Sequence, residues 1–250
     1  NAFAIGYRAN SATSESYAFG SSAWANNWRS LALGSDTKTD GAYSVAIGNF
    51  ASTGVLAANS IAIGYYATTT ANEAFAIGSK AHASGDNSVA WGFNSVSSSS
   101  RTIALGSGTN ASNTGATALG FGATSSGLYS TAIGYNATTS QNNAIVLGDA
   151  SSTSTNVGVG TSSPNAKLHI VSSTASNGFQ LQDGNQSLGK VLTSDANGKA
   201  TWKSLGDDQA IGEILKTSNS SLNSGQIALG TSNVNINVSN GSDYIQVTKS

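Results

Sequence analysis

A glycine closes the same small apolar phrase again and again: Gly6, Gly20, Gly34, Gly48, Gly64, Gly78, Gly92, Gly106, Gly120, Gly134 and Gly148. The interval is 14 residues throughout, apart from one step of 16 between Gly48 and Gly64. A fixed period of this length marks a repeat architecture, in which each copy is one unit stacked on the next. The residue before each glycine is large and apolar, as in Ile5, Phe19, Leu33, Ile47 and Trp91. The residue before that is alanine in all copies but the last, where it is Val146. One step further back it is mostly large again: Phe3, Tyr17, Leu31, Val45, Ile61, Phe75, Val89 and Ile103.

Fourteen residues are also two heptads, but a coiled coil needs apolar a and d positions in both halves and charged e and g positions. Here half of each copy is glycine, serine, threonine and asparagine, and only 9% of the chain is charged. Repeated mid-helix glycine would cost about 1 kcal/mol each. Two short strands and two turns per copy, coiled into a β-solenoid, satisfy the pattern better. At about 4.8 Å per coil, eleven coils make a rod about 50 Å long.

Alternate residues of a strand face opposite sides. On this reading the two large residues of each large–alanine–large triplet fill the coil. The alanine faces outward, and a strand apolar on both sides is buried on both. Ala4, Ala18, Ala32, Ala46, Ala62, Ala76, Ala90, Ala104, Ala118 and Ala132 then form a column suited to close approach by partner chains. Small residues three places after the glycine, such as Ala9, Ala23, Thr37, Ala51 and Ala67, are expected opposite the Ile and Leu side chains. A thin coil with an apolar outer column predicts an oligomer packed along the fibre axis.

Residues 1–150 resemble the YadA-like head of trimeric autotransporter adhesins, on the strength of phrases such as SVAIGNFAS (44–52), SIAIGYYAT (60–68) and STAIGYNAT (130–138). The resemblance implies an all-β fold: a left-handed parallel β-roll assembled as an intertwined homotrimer, with attachment as its activity. Beyond the array, residues 151–206 are expected to form a β-rich connector with a hairpin, 207–217 a short helix capped by Asp207 or Asp208, and 218–250 a β shaft segment. The phrases at 156–173 and 189–206 resemble modules of phage tail fibres. A virus or phage attachment fibre is therefore the first functional expectation. The head of a bacterial outer-surface adhesin that binds host or matrix surfaces is the alternative, and a spacer with its binding tip elsewhere is a third.

Composition removes several other classes. A net charge of −1 gives no electrostatic footprint for nucleic acid and no polybasic membrane patch. No apolar run is long enough to insert into a bilayer as a helix. The absence of cysteine removes disulfides, thiolate metal sites and cysteine nucleophiles. The absence of methionine and the initial Asn1 suggest a fragment or a processed product, and an extracellular setting is expected from the resemblance. His82 and His169 lie far apart with no second ligand at metal spacing, and the three glutamates Glu15, Glu73 and Glu213 recur at no repeat position. No catalytic residue, metal or cofactor is expected. GNQSLGKV (184–191) lacks the Ser or Thr a P-loop needs after its lysine and is assigned to a turn. Threonines such as Thr68–Thr70 do not hold one position in every coil, as an ice-binding face requires. Asn110 and Asn136 open Asn-x-Ser/Thr triplets that a chain this rich in Asn, Ser and Thr contains by chance.

Candidate receptor contacts are the residues that break the repeat. Trp24, Trp28 and Arg29 stand where other copies are small and polar. Val55 and Leu56 make the two-residue insertion apolar, and insertions in solenoids map to loops on one face. Tyr65 and Tyr66 follow a closing glycine, as single aromatics do at Tyr7, Phe93, Phe121 and Tyr135, where they offer either inter-coil stacking or a platform for sugar rings. The expected partners are two further copies of the chain and a host-surface glycan or protein.

Overall fold

The computed structural model describes residues 1–151, 155–174 and 178–204. The expected helix at 207–217 and shaft at 218–250 lie outside the described residues.

Each copy of the repeat is one coil with two strands and two corners. The large–alanine–large triplets are three-residue strands, from Phe3–Ile5 to Ile145–Leu147, and eleven of them stack in parallel as one broad sheet. Ten two-residue strands, from Asn10–Ser11 to Thr138–Thr139, stack as a parallel narrow sheet. Register follows the repeat: Ala4 is level with Ala18, Ala18 with Ala32, and so on to Ala132 and Val146. The insertion leaves this unchanged. Val45 pairs with Ile61 and Ile47 with Ile63, so the two extra residues are taken up in the corner between Ser52–Thr53 and Ile61–Ile63.

Glycine closes the phrase because nothing else fits there. Gly64 has φ +133°, and a Cβ on it would lie 2.5 Å from the carbonyl oxygen of Gly78 in the next coil. Its N–H donates to Ile47 O at 2.8 Å and its carbonyl accepts from Ala67 N–H at 3.2 Å, which turns the chain into the narrow sheet. The second corner of each coil turns on a residue with φ near +55°, such as Glu15, Arg29 and Tyr43.

The expected direction of the side chains is reversed. The alanines point into the coil: Ala18, Ala32, Ala46, Ala62, Ala76, Ala90, Ala104, Ala118 and Ala132 are fully buried within the single chain. They are therefore not a seam on its surface. Ala4 is exposed because it belongs to the first coil of the stack. The large residues point outward, with Ile5 63% and Trp91 58% exposed. The small residues after the glycine pack with alanines, as Ala23 does with Ala18, Ala25 and Ala32, rather than with Ile and Leu. The reason is width. Corners of a few residues hold the two sheets too close for facing layers of Ile and Leu, and interiors pack without overlap. The largest fully buried side chains are threonines.

This interior is partly polar and largely pairs its own hydroxyls, although the buried Ser88 Oγ has no partner among the described residues. Ser44 and Thr53 share a hydrogen bond of 2.8 Å across the coil, Ser60 and Thr69 one of 3.0 Å, and Ser125 and Ser130 one of 2.7 Å. Ser44 Oγ also donates to Gly41 O at 2.6 Å. Buried hydroxyls so paired avoid the cost of an unsatisfied donor, about 1–3 kcal/mol each.

Residues 1–178 form one compact unit, and a second begins at Phe179. In the first, Val157–Val159 pairs in parallel with Leu168–Ile170. In the second, Lys190–Ser194 and Ala200–Ser204 form an antiparallel hairpin. Its turn is held by Asp195 Oδ1, which accepts from the N–H groups of Asn197 and Lys199 at 2.9 and 2.8 Å.

Candidate binding surfaces

Turning the large residues outward gives the rod one apolar long face. The outer side of the broad sheet carries two rows, one through Phe3, Tyr17, Leu31, Val45 and Ile61, the other through Ile5, Phe19, Leu33, Ile47 and Ile63. None of these side chains is fully covered within one chain. The second row is apolar to Leu147 in the last strand; the first is interrupted by Thr117 and Thr131 before Ile145, so an apolar face still runs along the array. A monomer rarely exposes so long an apolar strip.

The outer side of the narrow sheet is different. It is built from Asn10, Trp24, Lys38, Ser52, Thr68, His82, Val96, Asn110, Thr124 and Thr138 in successive coils. His82 is half-buried there, with Nδ1 2.5 Å from Thr68 Oγ1, and burial pushes its pKa below the usual value. Trp24 is the one tryptophan of this row among the described residues, set between Asn10 and Lys38.

The corners gather residues that are one coil apart in sequence. Arg29 Nε donates to Glu15 Oε2 at 2.5 Å, and that bond, together with the carboxylate charge, raises the guanidinium pKa. The same guanidinium lies 4.8 Å from the Trp28 ring and 5.8 Å from the Tyr43 ring, and the two rings meet edge to face at 5.5 Å. Such stacks are worth about 0.5–1 kcal/mol each at exposed sites. Trp28 and Arg29 are thus joined by Tyr43 and Glu15, which the sequence did not single out. On the other corner, Tyr65 and Tyr66 are joined by Phe50: Phe50 and Tyr66 stack at 4.6 Å, and Tyr65 meets Tyr66 edge-on at 4.5 Å. Only the spacing could have revealed either cluster, since Glu15, Arg29 and Tyr43 are each 14 residues apart and Phe50 and Tyr66 are separated by the one longer step. Val55 and Leu56 project from the insertion, 75% and 72% exposed, with no aromatic partner among the described residues.

Among the described residues, no group of three or more His, Asp or Glu side chains is placed to hold a metal ion. The glycine-rich stretch at 184–191 runs into the strand Lys190–Ser194 instead of a helix, and Lys190 Nζ donates to Asn185 O at 2.6 Å. It lacks the helix N-terminus that cradles phosphate in a P-loop.

The architecture defines the class first: a parallel β-solenoid of 14-residue coils with an apolar outer face. Residues 29–51, 57–81, 70–95, 97–123 and 125–151 match the YadA head domain repeat. Among solved structures, the collagen-binding domain of the Yersinia adhesin YadA aligns with 24% identity over 66% of this chain and 76% of that one, at a TM-score of 0.44. At that score the likeness adds nothing to the fold, which stands on strand register. Comparison with curated protein sequences finds no match. The family match stops at residue 151 and lends no support to a tail-fibre reading of residues 156–206.

Proposed function

We propose that this chain is the head region of a bacterial outer-surface adhesin, working as a homotrimer that presents its outer faces to a host or matrix surface. The observation that carries the proposal is the apolar face that runs along the broad sheet, on coils that match the YadA head repeat. Fully burying an Ile or Leu side chain contributes about 1.5–3 kcal/mol. Two large apolar residues in nine of the eleven coils, and one in the coils of Thr117 and Thr131, make self-association the natural way to remove the face from water. The virus or phage fibre, first among the sequence expectations, rests on residues 156–206 alone and gives way to the bacterial reading. The work is attachment by contact, with no catalytic step.

The test is the mass of the 250-residue chain in solution by light scattering, with and without denaturant. A native mass of three chains is expected. Ile47→Asp combined with Ile63→Asp, on the outer face, should yield a folded monomer with unchanged β-sheet circular dichroism. A wild-type chain that is folded and monomeric would sink the trimer.

A further inference from the structure

We infer that Trp24, Ser22, Asp36 and Lys38 form a subsite for one neutral pyranose ring of a surface glycan; this rests on the adhesin reading above. Trp24 sits on the outer face of the narrow sheet, level with Asn10 on one side and Lys38 on the other. Its side chain is 44% exposed. Packing does not require it there, because neighbouring coils place Asn, Lys, Ser and Thr at the same position. Trp28, Phe50, Tyr65 and Tyr66 have their rings taken up by one another, by Tyr43 or by Arg29. Trp24 is packed against no other aromatic ring among the described residues, and its indole N–H donates to no group there.

Around this ring lies a shallow depression of about 310 Å³, lined by Ser22, Trp24, Asp36, Thr37 and Lys38. Thr37 is buried, its hydroxyl tied to Gly48 O at 2.9 Å, and contributes no free donor. Lys38 is fixed from outside the hollow: its Nζ donates to Asp40 Oδ2 at 2.8 Å, while Asp40 Oδ1 accepts from Asn26 Nδ2 at 2.7 Å. The Asp36 carboxylate accepts from Ser35 Oγ at 3.1 Å.

A pyranose has one aspect of C–H bonds and a rim of vicinal hydroxyls. An indole face with a free N–H matches the first. A carboxylate, an ammonium and a hydroxyl beside it match the second, since a carboxylate accepts from two hydroxyls and the ammonium donates to a third. Asp36 and Asp40 against Lys38 leave one net negative charge at the hollow, which favours a neutral sugar over a sialylated or sulfated one. The hollow spans two coils and is at the small end of ligand sites, enough for one ring and too short for an extended peptide. It lies on the sheet opposite the apolar face, so a trimer formed through the broad sheets leaves three copies open for multivalent capture.

Saturation-transfer NMR on the 250-residue chain tests this, with the methyl glycosides of glucose, galactose, mannose and N-acetylglucosamine as probes. At least one should receive saturation at the C–H protons of one ring face. Trp24→Ala should abolish the transfer, Trp28→Ala should leave it intact, and Asp36→Asn should weaken binding about tenfold. Trp24→Phe keeps an aromatic face and should retain weakened binding, which separates loss of the platform from loss of fold. No transfer from any of the four sugars, or transfer unchanged in Trp24→Ala, overturns the subsite. Preference for a proline-rich peptide over all four overturns it as well. Attachment of chain-coated beads to cultured animal cells or matrix tells the two proposals apart. Attachment without a sugar signal removes the subsite and leaves the adhesin reading; a sugar signal without attachment does the reverse.

Discussion

Gly64 shows what a single position in this repeat must satisfy. Its backbone lies at φ +133°, and the next coil's carbonyl occupies the place of a side chain. Gly64→Ala should therefore destabilise the chain by about 1–3 kcal/mol, read as a lower urea midpoint. Gly54 is the control. A Cβ there meets nothing closer than 3.4 Å and its φ is not positive, so Gly54→Ala should cost little. Equal effects at the two sites would show that the closing glycines are not the constrained ones. The closing glycines were legible in the sequence because they recur. Glu15 and Tyr43 were not, because their partners Arg29 and Trp28 are a full coil away and the residue types at that corner vary freely.

The strands show a different limit. Alternation divides each strand into two sets of side chains but does not say which set is inside. The large residues were expected inside, yet Ala62 and Ala76 are buried while Ile61 and Ile77 face out. Corner length decides it, since the gap between the sheets admits only Ala, Ser and Thr. The outer face of the narrow sheet carries a pH dependence of its own. Burial lowers the pKa of His82 below its ordinary 6.5, so the fold favours the neutral ring, whose Nδ1 can accept from the Thr68 hydroxyl. As pH falls through 6.5 the unfolded chain takes up a proton first. This stabilisation is complete above 6.5, declines below it, and levels off beneath the folded-state value. His82→Gln should reduce the loss of melting temperature between about pH 7.5 and about pH 5. An identical loss in wild type and variant would show that His82 is not its source.

At the scale of the whole array, each coil contacts mainly its two neighbours, so stability is close to a sum over coils and their interfaces. Removing residues 79–92 deletes one period and joins Gly78 to Phe93 in phase. The shortened chain should fold with the same circular dichroism and a small change in melting temperature. Removing only residues 79–85 deletes a narrow-sheet strand, His82–Ala83, and sets the following corner directly after Gly78. That variant should lose cooperative unfolding. If both deletions behave alike, the 14-residue coil is not the folding unit.

The period, the order of strand and corner, and the stacking of like on like are all legible in the residues alone. Parallel pairing at a constant offset of one coil requires the same residue types to recur at that offset, and the recurrence is visible without coordinates. It also exposed Trp24 and the insertion, because each departs from an otherwise regular text. Which face of the strand is interior needed the folded coil, and with it that the apolar residues, not the alanines, lie on the outer surface. That choice depends on the distance between two sheets, which short corners set and no alternation pattern encodes. The clusters around Arg29 and Phe50 were likewise decided there, since stacking brings together side chains that sequence keeps a whole coil apart.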